Sequence, residues 1–177
     1  MAVAITPFSG FCGFRPLYQI ATYLRHVPEF ARLIGPTPIS TLIALAAPSS
    51  QSLPDSTVNP AEAVALKEVF AALMNAEDDV VKKELASLVA RYSAGGVHVE
   101  KEETEEAGLV ELVLELESQF PGDVGVFCAF LLNVVKLESG EAVFLRANEP
   151  HAYISGGQYH HHPPLFLNKS PLLRSKA

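Results

Sequence analysis

Apolar positions recur at helical spacing along the first two thirds of the chain and change to short runs near its end. Ile20, Tyr23, Leu24 and Val27 stand three and four residues apart, followed by Phe30, Leu33 and Ile34 beyond Pro28. That pattern predicts two short amphipathic helices between Leu17 and Ile34, because proline breaks the first and is tolerated at the start of the second. Gly35, Pro36 and Pro38 then read as the close of this unit, and Ala47 to Pro60, rich in Ser and Pro, reads as a loop.

Pro60 is placed to open a further helix whose apolar face is Val64, Leu66, Val69, Phe70 and Leu73. A second stripe, Val80, Val81, Leu85, Leu88, Val89 and Tyr92, follows the acidic start Glu77-Asp78-Asp79, so the two predict a helical hairpin ended by Gly95 and Gly96. A third helix is expected from about Thr104 to Ser118, with Leu109, Leu112, Val113 and Leu116 inward. The eight glutamates between Glu100 and Glu117 fall mostly on its polar side. They read as a solvated face, since a divalent-ion site needs converging oxygens.

After Pro121-Gly122 the period shortens. Leu132 to Leu137 and Ala142 to Ala147 are apolar-rich runs joined by Glu138-Ser139-Gly140-Glu141, which predicts β-structure with a hairpin-type glycine. Asn148-Glu149-Pro150 is turn chemistry, which places His151 at the start of a strand running through Tyr153. From Gln158 to Ala177 no period is sustained, and the run His160 to His162 alternates in direction on an extended chain, so it reads as a solvated tail.

Composition narrows the classes. With 177 residues, 49% apolar and 19% charged, the chain has material for a core. A formal charge of -7 with scattered Lys and Arg excludes phosphate-rich partners, so no nucleic acid and no anionic membrane surface is expected. The apolar stretch from Ile39 to Ala47 is far below the roughly 20 residues of a membrane span. No basic residue precedes Arg15, which argues against a signal peptide and makes a cytoplasmic protein the default. Cys12 and Cys128 have no framework of spacings and read as small buried thiols.

Several stretches carry a family resemblance: Met1-Ala2-Val3-Ala4-Ile5-Thr6-Pro7-Phe8 with Gly10-Phe11-Cys12-Gly13-Phe14-Arg15-Pro16, Val27-Pro28-Glu29-Phe30, Phe120-Pro121-Gly122-Asp123, Leu132-Asn133, Gly140 to Leu145, and Ala147-Asn148-Glu149-Pro150-His151-Ala152-Tyr153. Together they resemble type I mannose-6-phosphate isomerase over about Met1 to Gly156; between Gly35 and Gly108 the likeness is mainly helical character, and Pro36 to Asn59 reads as an irregular replacement. The resemblance implies an α+β fold, a partial cupin-type, jelly-roll related β-structure with an α-helical domain. It divides the chain into 1–16, a remnant of the N-terminal cupin region; 17–120, helical; 121–157, partial cupin β-region; and 158–177, a divergent unstructured tail.

The implied activity is zinc-dependent interconversion of mannose 6-phosphate and fructose 6-phosphate, an aldose–ketose isomerisation that feeds GDP-mannose synthesis, with a phosphorylated hexose as partner. By resemblance His151 is a zinc ligand and Tyr153 lines the sugar pocket. From local sequence alone His151 reads equally as a histidine capping the turn after Pro150, and Tyr153 as a packed ring on the same strand face. The family's other ligands lie in Gln-x-His and Lys-Pro-Glu motifs just upstream of the segment that here begins at Met1, and its catalytic arginine lies in a segment that Gln158 to Ala177 does not resemble. Arg174 therefore inherits no catalytic role. The expectation is a truncated or alternatively spliced form that holds zinc poorly and is inactive alone, with a non-catalytic helical interaction or regulatory module as the alternative.

Overall fold

In the computed structural model, residues 2–46, 59–96, 103–144, 150–156 and 158–160 are described. The chain begins with two strands, β1 (Ala2–Ala4) and β2 (Phe8–Phe14), and then turns helical. The helices are α1 (Leu17–His26), α2 (Pro28–Ile34), α3 (Pro36–Leu45), α4 (Pro60–Met74), α5 (Asp78–Ser93) and α6 (Glu103–Gln119). A 3-10 segment, Val124–Phe130, leads to β3 (Leu132–Leu137), β4 (Ala142–Val143), β5 (His151–Ser155) and β6 (Gln158–His160). The fold is α+β, as the sequence pattern predicts.

Proline organises the first helices. Pro28 occupies the first turn of α2, where an amide proton has no intrahelical partner to lose, and Pro36 does the same for α3. This corrects the irregular replacement expected from Pro36 onward: Pro36 to Leu45 is a helix whose Leu42 is fully buried. Asn59 caps α4 by accepting from the Ala61 amide at 3.1 Å. Asp78 and Asp79 sit in the first turn of α5 and Arg91 in its last, each complementing the helix dipole. Ala47 to Val58 of the predicted loop, and the run from Val97 to Glu102, lie outside the described residues.

Two apolar assignments need correction. Val64 and Val80 are 56% and 40% exposed, whereas Ala65, one residue on from Val64, is fully buried. Each stripe therefore begins one residue later than read, at Ala65 in α4 and at Val81 in α5. The rest of both stripes is buried or packed against the core.

The core centres on rings. Phe30 lies 5.4 Å from Phe130 and 6.4 Å from Phe127, and Tyr23 lies 5.5 Å from Phe130. The 3-10 segment bearing Phe127 and Phe130 is buried from Gly125 to Phe130, and Asp123 starts it by accepting from the Gly125 amide at 2.6 Å. Nothing in the periodicity marked this segment, because an all-buried run has no polar side.

The strands form two antiparallel three-stranded sheets, ordered β4-β1-β6 and β3-β2-β5. The central strand of each comes from the first fourteen residues, and its neighbours come from beyond the helices. Among the described residues, the hairpin expected between Leu132–Leu137 and Ala142–Ala147 is therefore not formed, and Leu145 to Ala147 lie outside them. β3 pairs with β2 and β4 with β1, because Glu141 bonds back to the first strand: the Ala4 amide donates to its carbonyl at 2.9 Å, and the Gly140 amide donates to Ala4 O at 2.7 Å. Gln158–His160, placed by sequence in an irregular tail, is instead β6, paired with β1. Residues 161–177 lie outside the described residues.

Candidate functional site

Sequence alternation on β2 and β5 divides the β3-β2-β5 sheet into two faces. Phe11, Val134 and Ala152 pack into the helical core, while Cys12, His151 and Tyr153 alternate onto the opposite face. Cys12 pairs directly with His151 and Gly10 with Tyr153. His151 and Tyr153 are both half-buried, and their rings are 6.1 Å apart at 56°. The structure thus brings together the two residues that the sequence singled out and adds Cys12 beside them.

Irregular backbone positions this pair. Between Phe11 and Phe14 the register with β3 slips by one residue, and Gly13 there adopts a φ of +66°, a conformation that favours glycine. The Asn133 side-chain amide ties the bulge together, donating to Phe14 O at 2.7 Å and to Cys12 O at 3.4 Å. Gly13 N–H donates to Pro150 O at 3.0 Å, which fixes the residue immediately before His151. A second slip follows Tyr153, where Gly10 faces Tyr153 and Ser9 faces Ser155, leaving Ile154 as the extra residue. Bulges of this kind re-aim side chains beside functional sites.

Asn133 and Gly13 were quoted in the resemblance but given no role by the sequence reading. The readable signal was Gly-Phe-Cys-Gly, two glycines inside a strand, which suggests a bulge or close backbone approach.

Burial, and then the electrostatic effect of the neighbouring Cys12 thiol, push the Tyr153 pKa up to about 12, so Tyr153 is a neutral phenol at physiological pH. The Cys128 thiol, fully buried in the 3-10 segment, is pushed up strongly by desolvation, which makes it an inert packing group. Cys12 is half-buried, so only Cys128 is as enclosed as the sequence reading expected.

His151 supplies one nitrogen donor. Among the described residues, no group of three or more His, Cys, Asp or Glu side chains converges in a way that could hold a metal ion. A catalytic zinc takes three protein ligands and an open position, so the described residues do not by themselves fit a complete zinc centre. His160 belongs to β6 in the other sheet, whereas His161, His162 and Arg174 lie outside the described residues. No described helix is long and apolar enough to cross a membrane.

Comparison with known proteins gives one consistent answer. Residues 33–132 match the family described as phosphomannose isomerase type I, helical insertion domain. The chain is 44% identical over 164 residues to mannose-6-phosphate isomerase of Cryptococcus neoformans, covering 88% of this chain and 37% of the relative. It is 43% identical over 157 residues to the Saccharomyces cerevisiae enzyme, covering 88% of this chain and 35% of the relative. The chain therefore spans little more than a third of the length of these relatives. A zinc-bound crystal structure of mannose 6-phosphate isomerase superposes with a TM-score of 0.61 at 28% identity, over 89% of this chain and 32% of that one. The Salmonella typhimurium enzyme bound to fructose 6-phosphate and zinc superposes with a TM-score of 0.60, also at 28% identity, over 89% and 32%.

Proposed function

Because this chain belongs to the type I phosphomannose isomerase family, we propose that it takes part in interconverting mannose 6-phosphate and fructose 6-phosphate, with His151 as one zinc ligand and Tyr153 on the wall that meets the sugar. The observation that carries the proposal is the face of the β3-β2-β5 sheet turned away from the helical core. There a bulge, an Asn133 clamp and a backbone bond to Pro150 hold His151 beside Tyr153 at the start of a strand. A histidine that merely capped a turn would not require this framework on its partner strand.

The division of labour follows from the donor count. Residues 17–120 supply a helical body and 121–157 a sheet region completed by strands from 1–16, and His151 is the single family ligand in them. On this reading the 177-residue chain alone binds zinc weakly and shows no isomerase turnover, and its cellular setting is the cytoplasmic supply of mannose for GDP-mannose.

A graft tests the assignment. The aligned segment of the Saccharomyces cerevisiae enzyme is replaced by residues of this chain, and zinc content and turnover in a coupled assay are measured beside the unextended chain. The expected result is an active graft that loses zinc and activity with His151→Ala, and an inactive unextended chain. An active graft indifferent to His151→Ala would overturn the ligand assignment. Robust turnover by the unextended chain would overturn the donor count, and an inactive graft that stays folded and zinc-loaded would favour the helical interaction module.

A further inference from the structure

The face of the sheet that carries His151 holds a row of rings whose far end the proposed role does not use. Phe8, at the start of β2, is 6% exposed although it lies on the face opposite the helical core. The ring occupies room left by the absence of a side chain at Gly10. A Cβ built there would lie 2.7 Å from Phe8 Cζ and 2.8 Å from the carbonyl oxygen of Ala152, closer than real Cβ atoms approach. The Phe8 ring therefore lies back along its own strand into space that any other residue would fill. From that position it meets the Tyr153 ring, with centroids 5.7 Å apart and planes at 63°, an edge-to-face geometry that aromatic pairs favour. Tyr153 in turn faces the imidazole of His151 at 6.1 Å.

The consequence for His151 is steric and directional. Tyr153 stands two residues from it on the same strand face, and in strands both common χ1 rotamers are open to such a ring. With Phe8 seated above Gly10, the space on the Phe8 side of Tyr153 is filled, and the phenol ring is kept against the imidazole. With that seat empty, Tyr153 loses the ring contact that fills its β2 side, and its position against His151 is less closely set. Ala152, whose carbonyl limits the size of residue 10, lies between the two, so the same close approach of β2 and β5 sets both the seat and the spacing of the pair.

We propose that Phe8 is a positioning residue for His151, acting through Tyr153, and that Gly10 is the notch that makes this possible. The role of the row in metal binding rests on the reading of His151 as a zinc ligand, whereas the row itself is tested without metal.

The experiment uses the 177-residue chain, 13C-labelled at histidine, with the His151 ring C–H signals assigned by their loss in His151→Gln. Phe8→Leu keeps apolar volume without a ring, Phe8→Met is a milder version should the first fail to fold, Phe8→Tyr restores the ring, and Gly10→Ala fills the notch. In zinc-free protein, Phe8→Leu and Gly10→Ala are expected to shift and broaden the His151 signals while leaving the other histidines in place, and Phe8→Tyr to return them to the wild-type positions. On titration with zinc, the apparent affinity reported by the same signals is expected to fall several-fold in Phe8→Leu and to recover in Phe8→Tyr. A lowered melting temperature in Phe8→Leu and Gly10→Ala with unchanged His151 signals would reduce Phe8 to ordinary packing and overturn the proposal. If zinc leaves the wild-type His151 signals untouched even in large excess, the ligand reading fails while the zinc-free comparison still decides the role of Phe8.

Discussion

Two ion pairs of opposite polarity cross the seam between α2 and α5, and their unequal burial makes a quantitative prediction. Arg91 Nε donates to Glu29 Oε1 at 2.9 Å and its second nitrogen to Glu29 Oε2, with 22% of the arginine side chain and 4% of the glutamate exposed. Arg32 donates to Glu84 Oε2 at 2.7 Å, but its side chain is 57% exposed. Removing Arg32 should therefore cost less than removing Arg91, because water reaches the exposed arginine head, although the Glu84 side chain it leaves is only 9% exposed. Arg91→Ala leaves the Glu29 carboxylate in the core without its bidentate partner, a loss of about 3 kcal/mol. That is the lower end of the range for a buried pair, because 22% of the arginine side chain is still exposed. The double variant Glu29→Leu, Arg91→Met should recover most of it, since no buried charge then remains. Urea unfolding followed by helical circular dichroism measures all three against the wild type. Equal losses for Arg32→Ala and Arg91→Ala, or a double variant worse than Arg91→Ala, would refute the argument from burial.

The same pair sets a pH dependence. Burial alone would raise the Glu29 pKa, but the hydrogen bonds and charge of Arg91 outweigh it and hold the carboxyl below its ordinary value. The unfolded chain then binds the proton first as pH falls, so this contribution is complete above about pH 4.3 and is lost as pH drops through the lower folded value. Glu29→Gln should flatten that part of the acid limb. Leu42→Ala should cost about 2–4 kcal/mol in thermal or urea unfolding, because Leu42 is fully buried at the centre of α3; a loss below 0.5 kcal/mol, on the order of a surface change, would deny that helix its place in the core. Asn133→Leu should loosen the Cys12–Gly13 bulge, read as faster amide exchange at Gly13, whose proton bonds Pro150 O; unchanged exchange would show that the clamp is dispensable. Ile5 and Phe144 are 59% and 72% exposed, so the pair Ile5→Asp, Phe144→Asp should reduce self-association in sedimentation velocity, with unchanged association excluding these residues as the contact.

The sequence disclosed the helices where one side of each is wet. The breaks at Pro28 and Pro60, the acidic start of α5 and the strand at His151 all stand where local chemistry placed them. It failed where local rules have two outcomes. Pro36 and Pro38 end one helix or open the next with the same residues, and the structure takes the second course. The partner of Ala142–Val143 was hidden for a different reason: its pairing with Ala2 and Val3 spans most of the chain, and no short-range pattern encodes it. At the candidate site, His151 and Tyr153 were legible through a motif. The parts that hold them, Gly10, Gly13 and Asn133, act through backbone geometry that only the paired strands reveal.

The meeting of the first strands with the last has a consequence for how the chain acquires its fold. Arg15 N–H donates to Leu131 O at 2.8 Å, and the Arg15 side chain reaches Ala129 O across 114 residues of sequence. The entire helical body thus leaves and re-enters the sheet at nearly one point. Were that body unfolded, bringing its ends together would cost on the order of 4 kcal/mol in chain entropy before any β2–β3 contact could repay it. Helices that fold first shorten the search by joining their own ends, so the sheet is expected to zip last, in a step whose rate follows the stability of the helices. An excursion that closes on itself is also a natural unit of exchange: its length can change without disturbing the strands that bracket it.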